Sequence, residues 1–320
     1  MAAIEKQAMQ AFASQQQLTG LSEASLRAVM QRRAGYSVAR GRRFLAFQRR
    51  IDRELLQHRV ITHNPYTAWF SQGRQSRQQL RNFIVQFSVF SNQFLLAQLH
   101  KMINADSLEG MRASKEILAN EIGVVFNDPQ SRAPGEGGEA EGGDPKLLAT
   151  QGSIDGGRFY FRAAHFEWLM GIAGKLGLGF SELGRRRHGT SATLGYCDAL
   201  IQLYGSADYA TSQAASYAVE NWAAAGFWDE LVAGLKGYNR RTGADLPLAF
   251  FAWHGRLEAQ HAQHTQEELE QLYCGMELDE GRFIRIGNRM LDGVALFWDG
   301  LNQQRLARTE TGSPVALSRS

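Results

Sequence analysis

Three side chains able to bind a metal ion recur in one short stretch. In Trp253-His254-Gly255-Arg256-Leu257-Glu258-Ala259-Gln260-His261, the two histidines and the glutamate stand at i, i+4 and i+7. At 3.6 residues per turn these share one face of a helix. The preceding Leu248, Phe250, Phe251 and Trp253 make the segment apolar enough to bury. A buried face carrying two imidazoles and a carboxylate is unfavourable unless something neutralises it, and a metal ion does so directly. The competing reading is a polar helix face turned to water. His264 is turned away from His254 and stands among Gln260, Gln263 and Gln266, so it reads as solvated.

Other donors lie in apolar surroundings. His165 follows two alanines in Ala163-Ala164-His165-Phe166-Glu167-Trp168, with Glu167 on the far side of the helix from it. Glu220 is the only charge in Tyr217-Ala218-Val219-Glu220-Asn221-Trp222. Glu121 closes Ile117-Leu118-Ala119-Asn120-Glu121-Ile122-Gly123, where a carboxylate opposes the helix dipole. Imidazole and carboxylate donors without thiolate suit Fe(II) or Mn(II), and also zinc. Six such ligands fit two ions better than one. A ferritin-like site would need two Glu-x-x-His pairs, and Glu258-Ala259-Gln260-His261 is the single instance here.

These residues need helices to position them. The chain has 320 residues and only 6 prolines. It is rich in Ala, Leu, Gln, Glu and Arg, which favours helix over strand. Apolar periodicity predicts helices over 3–18, 22–33, 38–58, 74–103, 107–123, 157–176, 190–204, 208–222, 226–238, 245–273 and 280–306. Between Asn127 and Gly157 the composition shifts to glycine and acidic residues, with Pro129, Pro134 and Pro145, and reads as a long loop. The expected organisation is all-α: a helical extension over 1–58, a helical domain over 59–308 interrupted by the 127–157 loop, and a tail over 309–320.

Charge and cysteine content narrow the function. A net charge of +3, with the arginine pairs scattered over different segments, gives no case for nucleic acid or an anionic membrane surface. No apolar run has the length of a membrane span, and the first residues lack the apolar core of a signal peptide. Cys197 and Cys274 form no CxxC and fall in apolar helical patterns, so they read as buried free thiols. A cytoplasmic location is expected.

Three blocks of the chain resemble the heme-oxygenase-like diiron oxidase and oxygenase family. They are Asn64-Pro65-Tyr66 with Arg77 through Gln86; Glu121-Ile122-Gly123 with Ala164 through Leu169 and Leu176-Gly177-Leu178; and Glu220 with His254-x3-Glu258-x2-His261. The closing Phe297-Trp298-Asp299-Gly300-Leu301 also resembles the last helix of such proteins. The resemblance spans about residues 60 to 305. It implies a heme-oxygenase-like helical bundle in which Glu121, His165, Glu220, His254, Glu258 and His261 hold two Fe(II) ions per chain, the second often labile. It implies O2 as co-substrate and a small amino-acid-like or fatty-acid-like substrate that is N-oxygenated, cleaved at a C–C bond or oxidatively decarboxylated. The oligomeric state, including a homodimer, is left open. Two positions depart from the pattern. The loop separates Glu121 from His165, with Asp128 near where a relative's histidine falls, and Glu258 stands where many relatives carry Asp. The rivals are a non-catalytic binding protein of the same fold, a metal-independent thiaminase-like or cofactor-free oxidase relative, and a single-metal hydrolase. Neither cysteine sits beside carboxylates as a thiaminase-like nucleophile would.

Overall fold

Several helix starts fall where the sequence places capping side chains. The computed structural model describes residues 2–127, 148–154, 157–162 and 164–310, and for 2–4, 109, 125–127, 148–154, 157–162, 256–265 and 308–310 the backbone alone. Helix α1 is Ala2–Gln15 and α2 is Glu23–Met30, where the Ser22 hydroxyl accepts from the Ser25 N–H. Helices α3 (Val38–Glu54) and α4 (Arg59–Thr62) precede α5 (Pro65–Phe70), in which Pro65 occupies the first turn and Asn64 caps two N–H groups. The long α6 (Arg77–Ile103) opens with a reciprocal Ser76–Gln79 capping box, and α7 is Leu108–Glu121. After the strands come α8 (His165–Lys175), α9 (Ser191–Ala199) with a π-helical continuation over Leu200–Tyr204, and α10 (Tyr209–Ala223) capped by Asp208. Helices α11 (Phe227–Thr242), α12 (Ala249–Gly275) and α13 (Glu280–Glu310) complete the chain.

The class is all-α, as the sequence predicts, with one departure. Strands β1 (Val124–Asn127), β2 (Leu148–Ile154) and β3 (Gly157–Arg162) form an antiparallel sheet in the order β1-β3-β2. The helix expected from Gly157 therefore begins only at His165. Phe159 and Phe161 stand two apart, which is strand spacing, and an aromatic run such as Phe159-Tyr160-Phe161 suits a strand. Both ends of the region expected as loop thus have a defined partner: Asn127 pairs with Arg158 and Gly157 with Ile154. Residues 128–147, including Asp128, lie outside the described residues.

The core is aromatic. Phe83, Phe87, Phe251, Phe297 and Trp298 are almost fully buried and contact one another through rings of α6, α12 and α13. Offset and edge-on pairs of this kind add stabilisation beyond the area they bury. Gln86, a polar residue on the buried face of α6, donates to the His188 carbonyl and accepts from Thr190 and Thr193, fixing the loop before α9. The arginines at 32, 33, 42, 43, 49, 185, 186 and 187 are exposed, as expected of solvated faces. Among the described residues no helix is long and apolar enough to cross a membrane.

The N-terminal helices dock on the far half of α12. Helices α1 and α2 share a small apolar cluster of Met9, Ala13, Leu18, Leu26 and Val29. Helix α3 instead places Phe44, Phe47 and Ile51 in the main core. The Glu270 carboxylate, almost fully buried, accepts from the Ser22 backbone N–H and from the Ser22 hydroxyl at 2.6 Å. Arg40 donates to the Tyr273 and Met276 carbonyls, covering the end of α12. Removing the Glu270 carboxylate leaves the half-buried Ser22 N–H without its acceptor. Glu270→Ala is expected to lower stability by about 1–3 kcal/mol in urea denaturation and to speed tryptic cleavage after Arg27, inside α2. An unchanged midpoint with unchanged cleavage would contradict the docking role.

Candidate metal centre

The end of α7 and the start of α8 meet because the sheet brings them together. Gly123, at φ 72°, ends α7 two residues after Glu121 and turns the chain into β1. That left-handed conformation suits glycine, which has no Cβ to clash. Strand β1 pairs with β3, which runs back and ends three residues before His165. Glu121 Oε2 and His165 Nδ1 consequently lie 2.9 Å apart although 44 residues separate them. His165 is the first residue of α8 and buried, so the Glu121 carboxylate, which opposes its own helix dipole, lies against the positive end of another.

His254 completes a three-donor cluster. The donor atoms of Glu121, His165 and His254 all lie within 4.8 Å of one another. The rings of His165 and His254 are edge-on at 4.7 Å. The His254 Nδ1–H donates to the Phe250 carbonyl at 2.7 Å, and an acceptor that can only accept fixes the tautomer. In the neutral ring the lone pair is then on Nε2, the arrangement in which a metal-binding histidine is usually oriented by a second partner. Trp228 stacks on His254 with centroids 4.6 Å apart and planes 21° from parallel, and Trp168 packs on His165 at 5.2 Å. Both imidazoles are thus clamped by indoles.

Four of the six residues expected as ligands line one cavity of about 90 Å³: Glu121, His165, Glu220 and His254. They come from α7, α8, α10 and α12. Glu220 is buried and stands outside the three-donor cluster. Glu258 and His261 continue the α12 backbone helix without a break, and their side chains, with that of His264, lie outside the described residues. Glu167 is exposed and accepts from the Ala164 N–H, in keeping with its expected position away from His165.

The rest of the wall is apolar and aromatic. Phe87, Phe90 and Trp222 line the cavity together with Phe94, Trp228 and Phe250. Trp168 and Trp253 pack behind it, 6.0 Å apart, and Tyr217 packs on Phe283 instead. Trp228 carried no sequence signal, because it sits at the start of α11 with no periodic relation to any candidate ligand. Burial first, and then the Glu220 carboxylate among the nearby charges, push the Tyr196 and Tyr204 phenols well above their ordinary range, so both remain protonated. Burial pushes the Cys197 thiol up to about 12, and Cys274 is also raised, so neither buried thiol is activated as a nucleophile.

The donor set fits a divalent metal. Two imidazoles and one carboxylate within a ligand sphere's reach of each other match the two-histidine, one-carboxylate arrangement that holds non-heme Fe(II). The same set also occurs around zinc. The chain matches no family model and no curated protein. Because indoles pack on both imidazoles, a paramagnetic ion bound there should quench tryptophan emission. Titration with Co(II) is expected to give saturable quenching that Trp228→Phe reduces and His254→Ala abolishes. Saturable quenching that survives His254→Ala would place the ion elsewhere.

Proposed function

We propose that this chain is an O2-dependent non-heme iron oxidoreductase, with a heme-oxygenase-like helical bundle as its scaffold. The observation that carries the reading is the convergence of Glu121, His165, Glu220 and His254 from four helices on one aromatic-walled cavity. Iron held there would supply the one-electron chemistry that lets O2 react with a closed-shell organic substrate. The residues of the chain do the rest. His254 presents Nε2 because the Phe250 carbonyl holds its other proton. Glu121 and His165 are kept in contact by the β1–β3 pairing, so neither has to be ordered when a cation arrives. The phenyl and indole walls lower the local dielectric and so strengthen charge interactions inside the cavity. In the full reading Glu220, Glu258 and His261 hold a second, more weakly bound iron, and the product is formed by N-oxygenation, C–C cleavage or oxidative decarboxylation of a small amino-acid-like or fatty-acid-like molecule.

A second reading is favoured by a specific feature. The three-donor cluster of Glu121, His165 and His254 is a complete set for a single ion, with Glu220 outside it. A single-zinc hydrolase would use the same set. Anaerobic reconstitution followed by metal analysis and exposure to O2 separates the two. The iron reading expects about two irons per chain, tight binding of at least one, and an ultraviolet–visible transient on adding O2. His165→Ala and His254→Ala are each expected to remove the tightly bound iron. Turnover with zinc in the absence of O2 would establish the hydrolase. Neither iron binding nor zinc activity would leave a binding protein of this fold.

A further inference from the structure

The chain has 6 tryptophans, and all 6 lie on two paths of touching rings that start at the imidazoles of the metal cavity. The first path is short. Trp168 packs on His165 with centroids 5.2 Å apart and meets Trp253 edge-on at 6.0 Å, and both indoles are half-buried. The second path crosses the core. Trp228 stacks on His254 at 4.6 Å, and Phe227 lies between Trp228 and Trp222, at 4.4 Å from one indole and 4.6 Å from the other. Trp298 follows, 6.5 Å from Trp222 and 5.6 Å from Phe227. Tyr66 is 5.7 Å from Trp298, and Trp69 is 5.4 Å from Tyr66. Trp69 is half-buried, so the path ends at the surface.

Packing alone does not account for indoles at these positions. Phenylalanine fills neighbouring core positions such as Phe83, Phe87 and Phe251. An indole brings an N–H that needs an acceptor when it is buried. The Nε1 atoms of Trp222, Trp228 and Trp298 are buried and, among the described residues, have no hydrogen-bond partner. Each therefore carries a desolvation penalty that a phenyl ring in its place would not. An orphaned polar group in a core calls for an explanation, and a redox role is one. Indole gives up an electron far more readily than phenyl. With no base at Nε1, the resulting radical cation keeps its proton and is restored by one electron alone.

We propose that these rings are one-electron relays between the metal cavity and the surface, the longer one ending at Trp69. The inference deepens the iron reading and rests on it for the oxidant. That oxidant is hydrogen peroxide, which takes two electrons and two protons to become two waters. Bound Fe(II) supplies one electron and becomes Fe(III), Trp228 supplies the other, and solvent supplies the protons. Trp222, Trp298 and Trp69 then each refill the indole before it. Phe227 and Tyr66 are bridges between indoles, and burial raises the Tyr66 phenol, which keeps its proton. Only electrons pass from ring to ring, and no bond forms or breaks along the path. An external donor restores Trp69. The Arg305 guanidinium lies 4.8 Å over that ring, and its charge favours an anionic reductant such as ascorbate.

The test injects an oxidising equivalent from the surface end, without metal. A ruthenium polypyridyl photosensitiser is tethered at Gln72→Cys, an exposed position beside Trp69, in the full chain with chelator present; Cys197 and Cys274 are buried and do not compete for the label. Flash-quench transient absorption should show the protonated indole radical cation of the buried rings. Trp298→Phe should replace it with the deprotonated radical of solvent-accessible Trp69, and Trp69→Phe should abolish the cation. A deprotonated radical in the parent chain, or a cation that survives either substitution, would overturn the relay; Trp69→Phe, at the surface, decides the matter if Trp298→Phe fails to fold. In the iron-loaded chain, hydrogen peroxide should give an indole radical by electron paramagnetic resonance that ascorbate quenches, more slowly in Trp69→Phe. A chain that passes the flash test and binds no iron keeps the relay and loses the iron reading, and one that binds iron and fails the flash test does the reverse.

Discussion

A carboxylate and an imidazole that lie 44 residues apart meet at 2.9 Å, and the cavity takes its shape from that contact. Glu121 ends one helix and His165 begins another, so neither helix positions both groups. The pairing of β1 with β3 does so, with Val124 opposite Phe161 at the end of the ladder next to the two side chains. A hairpin-like clamp of backbone hydrogen bonds holds the two ends whatever the length of chain between the strands, because the entropy of closing a loop rises only slowly with its length. The inserted segment, which looks in the sequence like a break in the site, is therefore bracketed by the element that assembles it.

The other half of the site depends on α12. Phe250 and Phe251 anchor this helix in the aromatic core, and the Phe250 carbonyl orients His254 one turn later. The far half of the same helix is held by the N-terminal segment, through Glu270 on Ser22 and Arg40 on the last carbonyls. Between these anchors run the positions of Glu258 and His261. Helix α10 brings Glu220 to the same cavity and, one turn earlier, Ser216 to Lys101. A larger cavity of about 430 Å³ lies beside the aromatic-walled one along α6, α7, α10 and α12, with Lys101, Asp106 and Glu268 among its lining residues.

Much of this was legible in the sequence because helices announce themselves through period and caps. Ser22 and Asp208 mark helix starts by a mechanism that is local, and the structure shows each accepting the expected backbone hydrogen bond. Glu121, His165, Glu220 and His254 were readable as donors because each stands in an apolar setting where a charged or polar group needs a reason. The sheet was not legible. Its strands are short, and Phe159, Phe161, His165 and Trp168 can be counted as one helical stripe even though the first pair has strand spacing. Trp228 and Lys101 were equally silent, since what gives each meaning is a partner on another helix: His254 for the indole, Ser216 and Tyr204 for the ammonium.

The most direct measurement is anomalous scattering at the iron edge from crystals of the chain grown anaerobically with Fe(II). A peak within bonding distance of Glu121, His165 and His254 is expected, with any second peak on the Glu220 side of the same cavity. No peak at these residues, or a peak confined to the acidic side chains of the neighbouring cavity, would contradict a metal centre here.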